Sequence, residues 1–256
     1  MNVPDFGKAA SDYAQYRQGF PERLYDELHA LGVGLPDQAV LDLGTGTGLM
    51  ARNMACRGCR VTALDPSEAL LAQSRASAEA EGLQIEHVHA MAEDTMLPSD
   101  CFDVVTAATC WHWFDRPKAA RECLRLLKPG GKLAIAHQDW LRRPGNAIDA
   151  TLQVIDRWNP APKNRKWTFQ YPDWLFDLTD AGFGDYRLFG FPADLTYTQE
   201  AWVGRIVASA QIGPALSVEA QARFRVAFAE RLARSFPDPM TVPHRIFAIV
   251  LERPDD

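Results

Sequence analysis

VLDLGTGTG, at residues 40–48, is the stretch that decides the fold of this sequence. An apolar strand there runs into a turn that contains Gly44, Gly46 and Gly48, and a helix follows directly. Glycine tolerates positive φ, and without a Cβ it lets the backbone approach a ligand closely. The pattern therefore predicts a ligand-binding turn at the end of a strand. The purely structural alternative is a tight turn with an N-capping Asp.

Short apolar strands alternate with amphipathic helices on either side of this turn. The predicted strands are Ala39–Leu43, Arg60–Leu64, Gln84–His89, Asp103–Ala107 and Lys132–Ala136. The predicted helices between them are Leu49–Cys56, Ser67–Glu81 and Pro117–Leu127. Such alternation is typical of a doubly wound α/β fold, in which helices cover both faces of a mostly parallel sheet. Right-handed crossovers place the carboxyl ends of the strands along one edge, where ligands bind.

The two flanks of this region follow a different rhythm. Two short helices are predicted within residues 1–35, with Pro21 in the first turn of the second one. Residues 142–167 are polar and interrupted by prolines. The helices predicted beyond them are Pro172–Ala181, Gln199–Ser209 and Val218–Ser235. Two further strands, Asp185–Phe191 and Arg245–Glu252, are expected to lie antiparallel at the edge of a sheet of seven strands in all.

The whole chain is expected to form one domain with a helical lid. Its length of 256 residues suits a single large domain or a domain with a cap, and no internal repeat is present. Within the domain 1–256, residues 1–35 would supply lid helices and residues 36–138 the ligand-binding core. Residues 139–256 would supply substrate-side helices and the edge strands.

Charge and apolar content limit the range of partners. Lys and Arg number 27 against 33 Asp and Glu, so the formal net charge is −6. Non-specific phosphate binding needs a basic surface, and nucleic acid is therefore disfavoured as the main partner. No apolar run approaches the roughly 20 residues that span a bilayer, and Met1–Gly7 lacks the apolar segment of a signal peptide. Five cysteines, an odd number, fit a reducing compartment. We expect a cytoplasmic protein that binds a small molecule, as a monomer or homodimer.

Two carboxylates near the glycine turn indicate which ligand it binds. A dinucleotide site has the pattern G-x-G-x-x-G, but here Gly48 comes one position early and Leu49 follows it. Asp42 suits a ligand with an ammonium group and would repel a pyrophosphate. Asp65 follows 23 residues later at the end of the second strand, where a carboxylate can accept hydrogen bonds from both ribose hydroxyls. These features favour S-adenosylmethionine, a cationic sulfonium with an amino-acid tail.

Several further stretches resemble the class I S-adenosylmethionine-dependent methyltransferases, over roughly residues 6–138. The stretches similar to the family's third-strand loop, fourth strand and turn into the fifth strand are MAEDTMLP (91–98), FDVV (102–105) and LKPGGKL (127–133). CWHWFD (110–115) and YAQYR (13–17) resemble blocks of the subgroup that includes trans-aconitate methyltransferase-like enzymes. The resemblance implies a Rossmann-like fold, S-adenosyl-L-methionine as the cofactor and methyl transfer as the activity.

The same resemblance implies a set of cofactor contacts. They are Asp42, Gly44, Thr45 and Gly46 at the methionine end, with Arg17 on its carboxylate; Asp65 at the ribose; Pro66, Ala92 and Glu93 around the adenine; and Ala108 and Thr109 under the sulfonium. Two positions depart from the family pattern. Met91 stands where the family often has Asp, and Gln18 follows Arg17 where the subgroup has Pro.

His112 and His137 are the candidate catalytic residues, because each follows a predicted parallel strand at its carboxyl end. Methyl transfer from a sulfonium mainly requires alignment of the reactants and exclusion of water, so a catalytic base is optional. The alternative for His112 is that its aromatic block packs the junction between sheet and helix while the imidazole bonds the backbone. A similar structural alternative exists for His137.

Other reactive or charged residues have plainer interpretations. Cys110 is expected to be a small buried hydrophobe. Cys56 and Cys59 have the spacing of half a zinc site, but no second pair follows, so no metal is expected. A basic cluster beyond the fifth strand is either a solvated loop or a grip for a carboxylate or phosphate. Its members are Arg142, Arg143, Lys163, Arg165 and Lys166.

We therefore expect methyl transfer to oxygen, nitrogen or carbon of a small-molecule acceptor, with a carboxylate-bearing metabolite as one option. One alternative is a protein that binds S-adenosylmethionine without methylating anything. Another is a nucleic-acid methyltransferase. The acidic balance disfavours that class, and so does the sequence ATCW at 108–111, where such enzymes have N/D-P-P-Y.

Overall fold

A seven-stranded sheet organises the chain. In the computed structural model, residues 18–160, 172–209, 211–213 and 215–255 are described. The strands are β1 (Ala39–Leu43), β2 (Arg60–Asp65), β3 (Ile85–His89), β4 (Phe102–Ala108), β5 (Leu127–Trp140), β6 (Tyr186–Tyr197) and β7 (Met240–Glu252). Their order in the sheet is β3-β2-β1-β4-β5-β7-β6. Only the pairs that β7 makes with β5 and β6 are antiparallel, so the other six strands end at the same edge. The predicted α/β fold class is confirmed.

Helices cover both faces of this sheet. They are α1 (Glu22–Ala30), α2 (Leu49–Cys56), α3 (Glu68–Ala80), α4 (Arg116–Leu126), α5 (Ala147–Trp158), α6 (Pro172–Ala181), α7 (Gln199–Val207) and α8 (Val218–Ala233). Polar side chains fix several helix starts, since Ser67 and Asn146 each accept a hydrogen bond from a backbone N–H of the first turn. The N-caps of α7 and α8, Thr198 and Ser217, do the same.

Alternation along the strands divides the core between the two faces. Leu41, Leu43 and their neighbours on one face pack with α4 and α6. Val40 and the residues on the other face pack with α1 and α2. A third cluster lies beyond the parallel strands, where α5, α7 and α8 pack around the first part of β7, including Met240 and Val242. The two parallel-sheet clusters hold the strand ends in place, while the third forms a helical unit next to their carboxyl edge.

The flanking predictions need correction. No helix is predicted in the polar, proline-interrupted residues 142–167, yet α5 forms there, because Asn146 caps a stretch whose apolar residues Ile148, Leu152 and Ile155 recur at helical spacing. The last three strands are longer than predicted, since β5 and β6 both extend along β7. Pro21 is the N-cap of α1 and not part of its first turn, because its ψ of 149° is extended.

The helices contain no membrane-spanning candidate within the described ranges, since none combines the length and apolarity that crossing a bilayer requires.

Candidate functional site

The glycine turn between β1 and α2 leaves space at its middle glycine. Gly44, Gly46 and Gly48 all have positive φ, at 57°, 57° and 80°. A Cβ at Gly44 would lie 2.8 Å from the Cβ of Cys110, and one at Gly48 would overlap the Oγ of Ser74. A Cβ at Gly46 would meet no heavy atom within 4 Å. Packing therefore demands the outer glycines, whereas the middle one faces open space.

Asp65, at the end of β2, holds this turn from the side. The backbone N–H of Gly46 donates to Oδ2 of Asp65 at 2.8 Å, and the N–H of Ser67 donates to Oδ1 at 2.9 Å. Burial raises the pKa of Asp65, and the two N–H donors oppose that shift. Because a carboxylate can accept about four hydrogen bonds, it retains acceptor capacity beside the turn. Its role at the ribose stays a prediction.

Asp42 lies beneath the turn and is only 1% exposed. The hydroxyls of Thr45 and Thr106 each donate to one of its carboxylate oxygens, both at 2.7 Å. Burial, together with a smaller effect of the neighbouring charge of Asp65, raises the pKa of Asp42 to about 6. The two acids together make this part of the site favourable for a cationic group. The predicted contact between Asp42 and an ammonium group is untested.

The loop after β4 carries a strained residue, Thr109. Its φ of 60° lies in the left-handed region, which β-branched residues rarely adopt. Its backbone N–H donates to the carbonyl oxygen of Ala136 at 2.8 Å, which fixes the loop to β5. Its Oγ1 is buried and has no hydrogen-bond partner in the part of the chain that the structure describes. Backbone strain beside a buried polar atom without a partner is typical of a ligand-binding position.

The loop after β3 brings a second acceptor. The backbone N–H of Asp115 donates to Oε1 of Glu93 at 2.7 Å, which joins this loop to the one after β4. Oε2 of Glu93 is buried, and no partner for it exists among residues 18–160, 172–209, 211–213 and 215–255. Ala92 beside it is 3% exposed, whereas Pro66 is on the surface.

The side chains at this edge fit the cofactor that the sequence indicates. Open space at Gly46 and the unused atoms of Glu93 and Thr109 leave room and polar partners for a nucleoside. The buried acids Asp42 and Asp65 favour a positive charge. Arg17, the predicted partner of the methionine carboxylate, lies outside the described residues.

Both candidate histidines lie side by side after β4 and within β5. Nε2 of His137 is 3.2 Å from Nδ1 of His112, and Nδ1 of His137 is 2.8 Å from Oδ1 of Asp139. His137 and Asp139 are 7% and 5% exposed, and His112 is half-buried. The Asp139 carboxylate accepts a hydrogen bond from the Nδ1–H of His137, so Nε2 of His137 is an acceptor. It accepts a hydrogen bond from the Nδ1–H of His112, and the Nε2 of His112 is then the nitrogen with the lone pair. These tautomers are assigned from the hydrogen bonds, and with them Nε2 of His112 is the atom that would accept a proton.

Asp139 is a site residue that sequence reasoning missed. It follows His137 by two positions, and residues at that spacing share one face of a strand. The sequence therefore contained a signal for this pair. The pairing of His112 with His137 had no such local signal, because it depends on the position of β4 beside β5. The structure thus gives His112 a side-chain partner where the structural alternative proposed the backbone.

Other predicted residues lie apart from this constellation or pack within it. Cys110 is 8% exposed and its thiol donates to the carbonyl of Leu43 at 3.1 Å, so it is buried as predicted. Nε of Arg142 donates to Asp149 at 2.8 Å near the start of α5. Lys163, Arg165 and Lys166 fall outside the described residues. Within the described ranges, no group of three or more His, Cys, Asp or Glu side chains could hold a metal ion.

Comparison with known proteins finds the same region to be similar to methyltransferases. Residues 41–135 match the family model described as a methyltransferase domain. An uncharacterized methyltransferase of Mycobacterium tuberculosis is 34% identical over 151 residues, which cover 56% of this chain and 58% of that protein. A ubiquinone biosynthesis O-methyltransferase of Idiomarina loihiensis is 34% identical over 156 residues, 58% of this chain and 62% of that protein. Residues 41–135 are thus similar to a methyltransferase domain, in agreement with the resemblance. The chain spans about 58% to 62% of the length of these curated relatives.

A solved structure extends the likeness to the fold of nearly the whole chain. Haemonchus contortus phosphoethanolamine N-methyltransferase 2, in complex with S-adenosyl-L-methionine, superposes with a TM-score of 0.58 at 17% identity. The match covers 99% of this chain and 61% of that one. At this identity the likeness concerns the Rossmann-like fold alone.

Proposed function

We propose that this protein transfers a methyl group from S-adenosyl-L-methionine to a small-molecule acceptor. The observation that carries the proposal is the open space at Gly46 beside Asp65, together with buried polar atoms of Glu93 and Thr109 that have no partner among the described residues. This space lies at the carboxyl edge of the parallel strands, where doubly wound folds bind ligands. The match of residues 41–135 to a methyltransferase domain supports the same assignment.

The cofactor would supply a methyl group on a sulfonium, which is already activated for displacement. The chain itself would bind the cationic end through the negative field of Asp42 and Asp65. The turn at Gly46 would approach the cofactor closely because no side chain intervenes. Glu93 and Thr109 would complete hydrogen bonds that the described residues leave unmade. Catalysis would then consist mainly of alignment and exclusion of water.

The histidine pair supports an acceptor that loses a proton, such as a hydroxyl or an amine. His112 would take that proton on Nε2, while His137 passes the positive charge toward Asp139. A positioned base of this kind contributes roughly 10²–10⁴-fold to the rate. Two of the similar proteins bear names for oxygen or nitrogen methylation, which agrees with this class of acceptor.

Isothermal titration with S-adenosylmethionine tests the proposal. We expect saturable binding to the wild-type chain and at least tenfold weaker binding to Asp65→Ala, because that change removes the acceptor that holds the Gly46 N–H. Asp156→Ala is the matched control, since Asp156 is exposed on α5 and should leave the affinity unchanged. No heat at millimolar cofactor would refute the proposal. Binding without methyl transfer to any hydroxyl or amine in a broad metabolite panel would identify a non-methylating binder instead.

Location and assembly complete the proposal. All five cysteines are free of disulfides, which supports a reducing compartment such as the cytoplasm. A monomer or homodimer agrees with a site built within one chain. Sedimentation of the purified protein and fractionation of cells would test these two points separately.

A further inference from the structure

Four side chains next to the carboxyl edge bury polar atoms that have no partner. They are Gln138 Nε2, Tyr197 Oη, Arg205 Nε and His244 Nε2, and none bonds to any atom of the described part of the chain. Buried polar groups are almost always hydrogen-bonded, because an unmade bond costs the full desolvation of the group. Four such atoms in one region indicate a site that awaits a ligand.

These side chains share one face of the sheet at its antiparallel side. His244 lies opposite Trp140 on β5, and Gln138 precedes Trp140 by two residues, so all three project to the same face. Tyr197 lies opposite Met240 and therefore projects to this face as well. Because β5 and β6 run in the same direction, Trp140 and Tyr197 both end their strands at the edge that carries the histidine pair.

The indole of Trp202, on α7, contacts three of these four side chains. Its ring centroid is 5.1 Å from that of Tyr197 and 6.2 Å from that of His244. Cζ of Arg205 lies 5.7 Å from the same ring. The indole N–H donates to the hydroxyl of Thr151 at 2.9 Å, which fixes the ring against α5.

Arg205 supplies a positive charge that lacks a counter-ion. It forms no ion pair within residues 18–160, 172–209, 211–213 and 215–255, and its Nε is shut off from solvent. Burial lowers the pKa of Arg205, but a guanidinium keeps its proton in proteins. Arg205 as a whole is only partly buried, but a desolvated Nε without a partner is unfavourable, and an anion is the group that would satisfy it.

The other three unpartnered atoms indicate which hydrogen-bonding groups the ligand would carry. Gln138 Nε2 and Tyr197 Oη can both donate hydrogen bonds to an oxygen. Nδ1 of His244 faces the carbonyl of Val242 at 2.8 Å, so this nitrogen carries the proton and Nε2 accepts. Burial lowers the pKa of His244 to about 4, which keeps the ring neutral at pH 7.

We propose that Arg205 and Tyr197 bind an anionic oxygen group, a carboxylate or phosphate, of the methyl acceptor, while His244 accepts a hydrogen bond from a donor on the same molecule and Gln138 donates one to an oxygen further along it. Assigning the anion to the acceptor rests on the proposed function. The anion site itself does not, because it stands on atoms outside the glycine turn. The negative charges of Asp42 and Asp65 would attract the cationic cofactor. The cofactor and the anionic group of the acceptor would therefore bind at separate places.

Thermal shift and titration calorimetry on the full chain test the site with succinate and with inorganic phosphate as probes. Succinamide, the uncharged analogue, and sodium chloride at equal ionic strength are the controls. We expect one or both anions to raise the melting temperature while the controls do not, by mass action on the folded state. The tighter of the two anions identifies the headgroup chemistry. No anion-specific shift in the wild-type protein would overturn the proposal.

Arg205→Met and Arg225→Met form a matched pair of variants, since Arg225 is exposed on α8. We expect Arg205→Met to bind the anion at least tenfold more weakly and to melt, without ligand, at the wild-type temperature or higher. Arg225→Met should behave as wild type. An equal anion response in Arg205→Met would overturn the proposal. Tyr197→Phe removes a single oxygen and should weaken the anion severalfold, which keeps the test decisive if Arg205→Met fails to fold.

The cofactor provides the readout that separates this proposal from the methyltransferase proposal. Arg205→Met should bind S-adenosylmethionine with wild-type affinity, because Arg205 lies outside the turn. Anion binding in a protein that ignores S-adenosylmethionine would refute the proposed function and support the anion site. Cofactor binding without any anion response would do the reverse.

Discussion

Gly46→Ala tests whether the glycine turn binds the cofactor, because its expected effect on affinity is distinct from its effect on the free energy of unfolding. Gly46 has a φ of 57°, and a Cβ there would meet nothing within 4 Å. The cost to folding is therefore only that of placing an L-residue in the left-handed region, about 1 kcal/mol. Gly82, after α3, has a φ of 69° and equally open surroundings, so Gly82→Ala should cost about the same.

The two variants should differ in cofactor affinity alone. A methyl group at position 46 enters the space assigned to the methionine end of S-adenosylmethionine, and we expect at least a tenfold loss of affinity, about 1.4 kcal/mol. Gly82→Ala should bind as wild type, since residue 82 lies at the opposite end of α3 from the strand ends.

Urea unfolding measures the free energy of unfolding of each variant, and calorimetry measures its affinity for the cofactor. Equal affinity in Gly46→Ala and Gly82→Ala would refute the reasoning, because the space beside Gly46 would then be irrelevant to the cofactor. A loss of several kcal/mol of stability in Gly46→Ala, well above the roughly 1 kcal/mol of the backbone effect, would contradict the open surroundings.

Three further variants test other parts of the site. Thr109→Gly should raise the free energy of unfolding by about 1 kcal/mol, because glycine tolerates the φ of 60°. It should also lower the affinity for the cofactor, because Oγ1 is lost. A lower free energy of unfolding in urea would argue against backbone strain at this residue. Asp42 has a folded pKa of about 6 against an ordinary 3.8, so the protonated carboxyl stabilises the fold at low pH and this contribution is lost as the pH rises through 6. Relative to Asp42→Asn, the free energy of unfolding of the wild-type protein should fall by up to about 3 kcal/mol between pH 4 and 7. Parallel pH curves of the two proteins would exclude the pKa shift. His137→Gln should slow methyl transfer to a hydroxyl acceptor by about 10²-fold or more with cofactor affinity within about twofold, whereas loss of both would indicate a structural role.

Local chemistry explains why the glycine turn and the central strands were predictable. Positive φ at Gly44, Gly46 and Gly48 is a property of single residues, and it is visible in the residue type. β1 was predicted at the bounds observed, Ala39–Leu43, because a buried parallel strand is a mostly apolar run, here interrupted only by Asp42.

The rest depended on contacts between residues distant in the chain. The pairing of His112 with His137 follows from β4 lying beside β5, which no local pattern specifies. The site around Arg205 requires β5, β6 and β7 to place their ends together, and its residues stand 59 to 106 positions after Gln138. Helix α5 was missed for a different reason, because prolines on both sides of it suggested an irregular segment although Ile148 and Leu152 kept helical spacing.

The electrostatics of the site suggest why the protein would carry unfavourable charges before its ligands bind. Asp42 is buried with a raised pKa, and the buried Nε of the partly exposed Arg205 has no hydrogen-bond partner in the described part of the chain. Each would be stabilised by a ligand group of opposite charge, so the free protein trades stability for complementarity to its ligands. Both ligands together should therefore stabilise the fold more than either one.

A crystal structure with S-adenosylhomocysteine, the demethylated cofactor, tests the central claim most directly. The account predicts electron density over the glycine turn at Gly46, with the ribose hydroxyls within hydrogen-bonding distance of Asp65. The sulfur should point toward the loop that carries Thr109. Density for the nucleoside elsewhere on the protein, or an empty crevice at saturating ligand, would contradict the account.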